Sequence, residues 1–164
     1  MSKSYVDVRY PAIAWVIFLG VMFLLLVGTI LAPLAKFLNI KGLAHFLYGF
    51  YGLTCHQIPS RSLFLFGEKM GVCTRCFATY LSLIPAGALL FIIRLRSWIS
   101  QRSFLKFVLP VSLSLNLPMI ADGLIQLLTP WESTNILRLI TGGLSGIGMA
   151  LFLGWIFLKV TREE

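Results

Sequence analysis

The segment Ala12–Pro33, AIAWVIFLGVMFLLLVGTILAP, contains no charged side chain. An α-helix needs about 20 apolar residues to cross the hydrocarbon core of a bilayer. The segment therefore predicts a transmembrane helix. No basic n-region, short apolar region and cleavage site precede it, so we interpret it as a retained span and not as a removed signal peptide.

The rest of the chain is also apolar. Of its 164 residues, 58% are hydrophobic and 12% are charged, and the mean hydropathy is +0.88. Soluble domains carry about 25% charged residues, so the bilayer is the expected solvent. Because the alternating pattern of a β-barrel is missing, we predict an all-α membrane protein with a single domain over residues 1–164.

Four apolar segments predict a polytopic protein. The predicted spans are residues 12–33, 73–93, 107–128 and 136–158, of which the third contains Asp122 and the fourth contains Arg138. The stretch Leu43–Thr54, LAHFLYGFYGLT, is too short to cross the bilayer. The predicted fold is thus four transmembrane helices plus a short interfacial or re-entrant helix.

Basic residues predict the orientation, because cytoplasmic loops are enriched in Lys and Arg. Both termini and the connection between the second and third spans share one side, which has eight basic residues, whereas the other side has six. We therefore expect both termini in the cytoplasm and the cysteine-containing loop outside. The net charge of +8 is then explained by membrane topology and not by binding to nucleic acid.

All three cysteines lie in one short stretch. Cys55 is followed by His56, and Cys73 and Cys76 form a CTRC motif. Three thiolates and one imidazole are a common ligand set for zinc, so Cys55, His56, Cys73 and Cys76 are candidate metal ligands, with iron as a less favoured metal. Three thiolates with His56 as a proton shuttle fit the spacing as well. Four protein ligands would make a closed structural site, whereas an open fourth position would suit catalysis.

A second interpretation of the CTRC motif is thiol redox chemistry. A CxxC pair near the outer start of a second span resembles that of disulfide-generating quinone oxidoreductases, which are also four-helix bundles. Those enzymes carry a second cysteine pair, whereas this chain has only Cys55 in addition. The alternative function is therefore a membrane thiol-disulfide oxidoreductase that uses a quinone.

The charges within the third and fourth spans predict a polar site. Asp122 and Arg138 are expected to pair, because a charge at bilayer depth is costly and usually finds a partner. With His56, this pair is the candidate catalytic group. Arginine binds phosphate and carboxylate in a bidentate manner. The candidate groups for binding an anion or substrate are Arg61, Arg75, Gln126 and Asn135.

Helix counting places these two regions at one level of the membrane. In a bundle of four spans, the loop after the first span and the loop after the third share a face. Nearby, Gly142 and Gly146 form a GxxxG interval, which predicts close helix packing either within one chain or between copies.

The two motif blocks, CHQIPSRS with CTRC and ADGLIQLL with ESTNILRLITGGLSGIG, resemble an uncharacterised family of small prokaryotic integral membrane proteins known as a domain of unknown function. The resemblance runs from about Leu47 to Leu151 and includes Tyr80, whereas Phe77, Ala78 and Ser82 depart from its pattern. It implies that the two blocks belong together in a multi-pass protein of a prokaryotic cytoplasmic membrane. A hydrolase acting on a lipid, a membrane-linked substrate or a small anion would fit such a site.

Overall fold

The computed structural model describes residues 9–90, 95, 98, 99 and 101–160 as a mostly helical protein. The described elements, in chain order, are α1 (Arg9–Phe37), α2 (Lys41–Gly52), a 3-10 turn (Pro59–Arg61), β1 (Phe64–Leu65), β2 (Glu68–Lys69), α3 (Thr74–Leu89), a π-helical turn (Phe104–Val108), α4 (Leu109–Leu128) and α5 (Asn135–Val160).

Three of the described helical segments are long and apolar enough to cross a membrane. They are Ile13–Phe37, Phe104–Leu128 and Asn135–Phe157. Each coincides with a predicted span, and each exposes large apolar side chains, such as Leu24, Leu117 and Ile136. Exposed leucine and isoleucine along such helices are expected where lipid replaces water as the surrounding solvent.

The predicted second span differs from the described helix. α3 has 16 residues and ends at Leu89, so it is shorter than a full crossing. The predicted span continues to residue 93, and residues 91–93 lie outside the described part of the chain. Several of the residues behind the orientation prediction also lie outside it, namely Lys3, Arg94, Arg96 and Arg162.

Helix α5 is central to the packing, since α3 and α4 both lie along it. Gly142 and Gly146 permit the approach of α3. A Cβ on Gly146 would overlap Ser82 Oγ and Thr79 O, and one on Gly142 would lie 2.5 Å from Arg75 O. Close packing at the GxxxG interval is thus confirmed, between two helices of the same chain.

Helix α2 and the β-hairpin form a cap at the end of the bundle where α3 begins. Tyr51 of α2 donates a hydrogen bond to Leu25 O in α1 at 2.6 Å. The hairpin turns through Phe66 and Gly67, both with positive φ, as a two-residue hairpin loop requires. Two residues after the hairpin, the backbone N–H of Gly71 donates to Thr29 O at 3.1 Å. The cap is thereby fixed to α1 and positions the loop that carries Cys55.

Candidate functional site

Cys55, Cys73 and Cys76 meet in space and form what we call the thiol cluster. Their sulfur atoms all lie within 4.8 Å of one another, and the Cys73 and Cys76 sulfurs are 3.6 Å apart. Cys73 is the extended N-cap residue of α3 and Cys76 lies in its first turn, so the CTRC spacing directs both thiols to one side. All three are free cysteines. The cluster has the composition of a three-thiolate metal site.

Cys55 is the thiol that its surroundings favour as a thiolate. It is buried, and the backbone N–H of Cys73 donates a hydrogen bond to its sulfur at 3.1 Å. Hydrogen bonds from the thiols of Cys73 and Cys76, supported by backbone amides, lower the pKa of the Cys55 thiol. The N-terminus of α3 adds a favourable dipole, because helix N-termini stabilise negative charge.

His56 lies beside the thiol cluster but is not part of it. Its ring nitrogens do not join the group of mutually close ligand atoms, which consists of the three sulfurs alone. His56 instead lines the same cavity as those sulfurs. The geometry therefore corresponds to the three-thiolate arrangement and not to the closed set of three cysteines and one histidine.

The carboxylate of Asp122 pairs with Arg75, and this corrects the predicted pair. Arg75 Nη2 donates to Asp122 Oδ2, and the Asp122 side chain is 6% exposed. The predicted partner, Arg138, makes no ion pair with Asp122 among the described contacts and is connected to it through Gln126. The reason is geometric: membrane depth does not fix the direction in which a helical side chain points, and α3 presents Arg75 to Asp122.

Gln126 and Ser133 connect Asp122 to Arg138. Gln126 Nε2 donates to Asp122 Oδ1 at 3.2 Å and to Ser133 Oγ at 2.5 Å, while its Oε1 accepts from Arg138 Nη2 at 3.3 Å. Arg75 also donates to Ser133 Oγ at 3.3 Å. We call these five residues, Arg75, Asp122, Gln126, Ser133 and Arg138, the arginine network. Buried polar groups of this kind hold one another in fixed positions.

Asn135 joins the two sequence blocks directly. Its Oδ1 accepts from Thr74 Oγ1, next to Cys73, at 3.1 Å and from Arg138 Nη1 at 3.2 Å. Its Nδ2 donates to Ser62 O at 3.5 Å. The predicted meeting of the cysteine region with the start of α5 is thus confirmed by hydrogen bonds. Asn135 and Gln126 orient Arg138, and neither is among the described residues that line the cavity.

A cavity of about 390 Å³ lies between the thiol cluster and the arginines. Its described lining combines soft, basic, aromatic and apolar groups: Thr54, Cys55, His56, Gln57, Ile58, Arg61, Cys73, Arg75, Cys76, Thr79, Tyr80, Met119, Arg138 and Met149. Its size is within the range of small-molecule binding sites. The cavity is therefore lined both by thiols that could hold a metal and by positively charged arginines.

Sequence reasoning did not assign a role in the site to Tyr80, Met119 or Met149. Tyr80 follows Cys76 by four residues, so helical spacing on α3 is the signal that would have indicated it. The two methionines lie on α4 and α5 in long apolar runs, where no pattern distinguishes a cavity wall from a lipid-facing side chain.

Comparisons with known proteins give a consistent result. A family model described as "Predicted membrane protein (DUF2085)" matches residues 55–152. An uncharacterized protein of Methanocaldococcus jannaschii is 37% identical over 119 residues, which are 72% of each chain. An uncharacterized protein of Methanothermobacter thermautotrophicus is 32% identical over 97 residues, 59% of this chain and 81% of that protein. No solved structure matches the chain.

Proposed function

Because the chain belongs to the DUF2085 family of predicted membrane proteins, we propose that it is a multi-pass membrane protein with a zinc centre that acts on a membrane-linked substrate. One observation carries this proposal. Three free thiols converge to within 4.8 Å at the wall of a cavity that is also lined by His56, Arg75 and Arg138.

The spacing of the sulfurs supports zinc. Tetrahedral zinc with Zn–S bonds of about 2.3 Å separates its sulfur ligands by roughly 3.8 Å. The 3.6 Å between Cys73 and Cys76 is close to that value, and Cys55 needs only a small movement to complete the set. Zinc is preferred over iron because thiolates are among its usual donors and it accepts three protein ligands in a tetrahedral set whose fourth position stays open.

An open fourth position supports a hydrolytic function. Catalytic zinc sites have three protein ligands and one exchangeable water, and zinc lowers the pKa of that water toward neutrality. The fourth side of the thiol cluster meets the cavity, where His56 is available to carry a proton. Asp122 has a positioning role in this proposal, because it holds Arg75 at the cavity, and Arg138 contributes positive charge.

For the membrane arrangement we propose four crossings, with α3 as the second. α3 packs along the full-length helix α5, and 16 helical residues span about 24 Å. Both termini then face the cytoplasm, and the thiol cluster lies near the outer face. Glu132→Cys, at the end of the molecule with the thiol cluster, and Gln101→Cys, in the connection before α4, are matched probes for an impermeant maleimide.

The labelling result separates the two orientations. We expect Glu132→Cys to be labelled in intact cells and Gln101→Cys only after lysis, with the wild-type chain as background for the native thiols. The reverse pattern would invert the orientation. Labelling of both positions in intact cells would place them on the same side and would contradict a membrane crossing by α4, which lies between them.

Metal analysis of the purified protein tests the zinc centre. We expect one zinc per chain in the wild type and in His56→Ala, because the thiol cluster does not include His56. Cys73→Ser and Cys76→Ser should each lose most of the zinc. Metal-free wild-type protein after expression with added zinc, or equal zinc in all four proteins, would contradict the proposal.

Thiol redox chemistry is the second candidate, and the short distance between the Cys73 and Cys76 sulfurs favours it. The Cys73 and Cys76 sulfurs are 3.6 Å apart, so a disulfide requires only a modest approach. In this reaction the two thiols would lose two electrons and two protons to a quinone, which becomes a quinol. Absence of zinc, together with a reversible Cys73–Cys76 disulfide, would favour this function over hydrolysis.

A further inference from the structure

The arginines around the cavity carry more positive charge than their partners neutralise. Arg61, Arg75 and Arg138 all line the cavity, and we call them the cavity arginines. Arg75 pairs with Asp122, and Arg61 pairs with Glu132 at 3.2 Å. Within the described part of the chain, Arg138 has no carboxylate in ion-pair contact. Counted against carboxylates alone, the cavity arginines therefore retain one positive charge without an acidic partner.

Among the cavity arginines, Arg138 gives the strongest argument for an anion ligand, because it is fully buried. It is 2% exposed, and its described hydrogen-bond partners are neutral oxygens of Ser60, Asn135 and Gln126. A buried guanidinium without a counter-charge is costly. An arrangement that orients such a group at a cavity wall, without neutralising it, suits an anion that enters from outside.

Unpaired donors point to the same conclusion. The Nε atoms of all three cavity arginines are buried and have no hydrogen-bond partner. A buried N–H without a hydrogen-bond partner is costly, so three around one cavity are unusual. Each arginine also uses an Nη group to hold its position, so its Nε–H is a donor that no described group uses.

We propose that the cavity arginines bind the terminal phosphoryl group of a phosphate monoester, and that this group identifies the substrate class of the site. The proposal rests on the proposed function only where it places that ester beside the zinc centre; binding of the anion does not require the metal.

The number of donors favours a phosphoryl group over a carboxylate. Three separate guanidinium groups can be served by the three or more oxygens of a phosphate, whereas a carboxylate has only two. Ile58, Met119 and Met149 add apolar walls to the same cavity, which suits an ester with an organic part. The group could come from a lipid headgroup or from a small soluble phosphate, so the experiment separates these sources.

Titration calorimetry on the full-length protein in a neutral detergent, freed of metal by a chelator, tests the proposal. The probes are inorganic phosphate, short-chain phosphatidic acid and the matching diacylglycerol, which lacks the phosphoryl group. We expect phosphatidic acid to bind and diacylglycerol not to bind. Binding of inorganic phosphate with similar affinity would identify a soluble source, whereas binding of phosphatidic acid alone would identify a lipid.

Three variants show whether the cavity arginines are responsible. Arg138→Lys keeps the charge but loses the bidentate geometry, and Arg61→Gln changes a partly exposed side chain, so its folding is less at risk. Each should weaken binding at least tenfold. Arg102→Gln is the matched control, because Arg102 contacts Trp98 and Phe107 and is not among the described lining residues, and its binding should be unchanged.

The results that would contradict the anion site differ from those that would contradict the zinc centre. Absence of phosphoryl binding in the metal-free wild type, or equal weakening in Arg61→Gln and Arg102→Gln, would overturn the anion site. The cavity arginines would then serve only to offset negative thiolates. Absence of zinc in the metal analysis would leave the anion site intact, since these titrations are done without metal.

Discussion

The thiol cluster and the arginine network border the same cavity, but they are held in different ways. The thiols of Cys55, Cys73 and Cys76 make their polar contacts with one another and with nearby backbone amides. In the arginine network, by contrast, Asp122 and Gln126 each make several polar contacts across α3, α4 and α5. We infer from this comparison that the network stabilises the fold and positions the site, whereas the thiol cluster, in the proposed zinc centre, is completed by the metal.

Removing the carboxylate of Asp122 should have the largest effect on stability. In Asp122→Ala, Arg75 loses its ion-pair partner and Gln126 loses an acceptor, both at a buried position. Breaking a buried pair by removing one partner costs about 3–5 kcal/mol. The free energy of unfolding, measured by SDS titration in mixed micelles, should fall by that amount.

Glu132→Ala is the control for Asp122→Ala. Glu132 also pairs with a cavity arginine, Arg61, but its side chain is 58% exposed. An exposed pair contributes about 1 kcal/mol or less. Equal destabilisation by the two variants would show that burial of the Asp122 pair has no special importance, and the distinction between the two regions would be lost.

An intermediate effect is expected where α3 meets α5. In Gly146→Ala the new methyl group would overlap the backbone oxygen of Thr79 and the hydroxyl of Ser82. Forcing the helices apart should cost about 1–3 kcal/mol and weaken the bond between Thr74 and Asn135. The same SDS titration measures the loss.

Gly143→Ala provides the matched test of that contact. Gly143 lies on the same helix, and nothing lies within 4 Å of the Cβ it would gain. Alanine should be neutral or stabilise the helix by up to about 1 kcal/mol. If Gly143→Ala were as damaging as Gly146→Ala, the cause would be helix propensity and not the approach of α3.

The smallest effect is expected from Cys73→Ser in metal-free protein. The Cys73 thiol makes only a weak hydrogen bond to the Cys76 sulfur. Replacing this thiol with a hydroxyl should therefore change the free energy of unfolding by less than about 1 kcal/mol. In zinc-loaded protein the same change should be strongly destabilising relative to wild type, because only the wild type gains the free energy of metal binding. Equal stability differences with and without zinc would contradict a role for Cys73 in metal binding.

The apolar runs of the sequence were enough to predict three helices that are long and apolar enough to cross a membrane, and a short helix at α2, whereas the predicted second span is described only as the 16-residue α3. The three long helices have the length and composition that a bilayer imposes, and these are properties of the sequence itself. The hairpin at residues 64–69 was not predicted, because strands of two residues have no periodic pattern. Its sequence signal is limited to Gly67, which has a positive φ.

Within the site, the sequence predicted which residues meet but not how they pair. Counting helices placed Cys73, Asp122 and Arg138 at one end of the bundle, and the contacts through Thr74 and Asn135 agree with this. The partner of Asp122 depends on the rotation of α3 about its axis, which depth alone does not determine. Arg75 was therefore assigned to the binding of an anion or substrate, although its nearest partner is the carboxylate of Asp122.

X-ray absorption at the zinc edge of the purified, zinc-loaded protein tests the central claim most directly. We expect about three sulfur neighbours at roughly 2.3 Å and one lighter atom, because the thiol cluster provides three ligands and its fourth side meets the cavity. The spectrum of His56→Ala should retain all three sulfurs. A zinc ion surrounded only by nitrogen and oxygen would contradict the account.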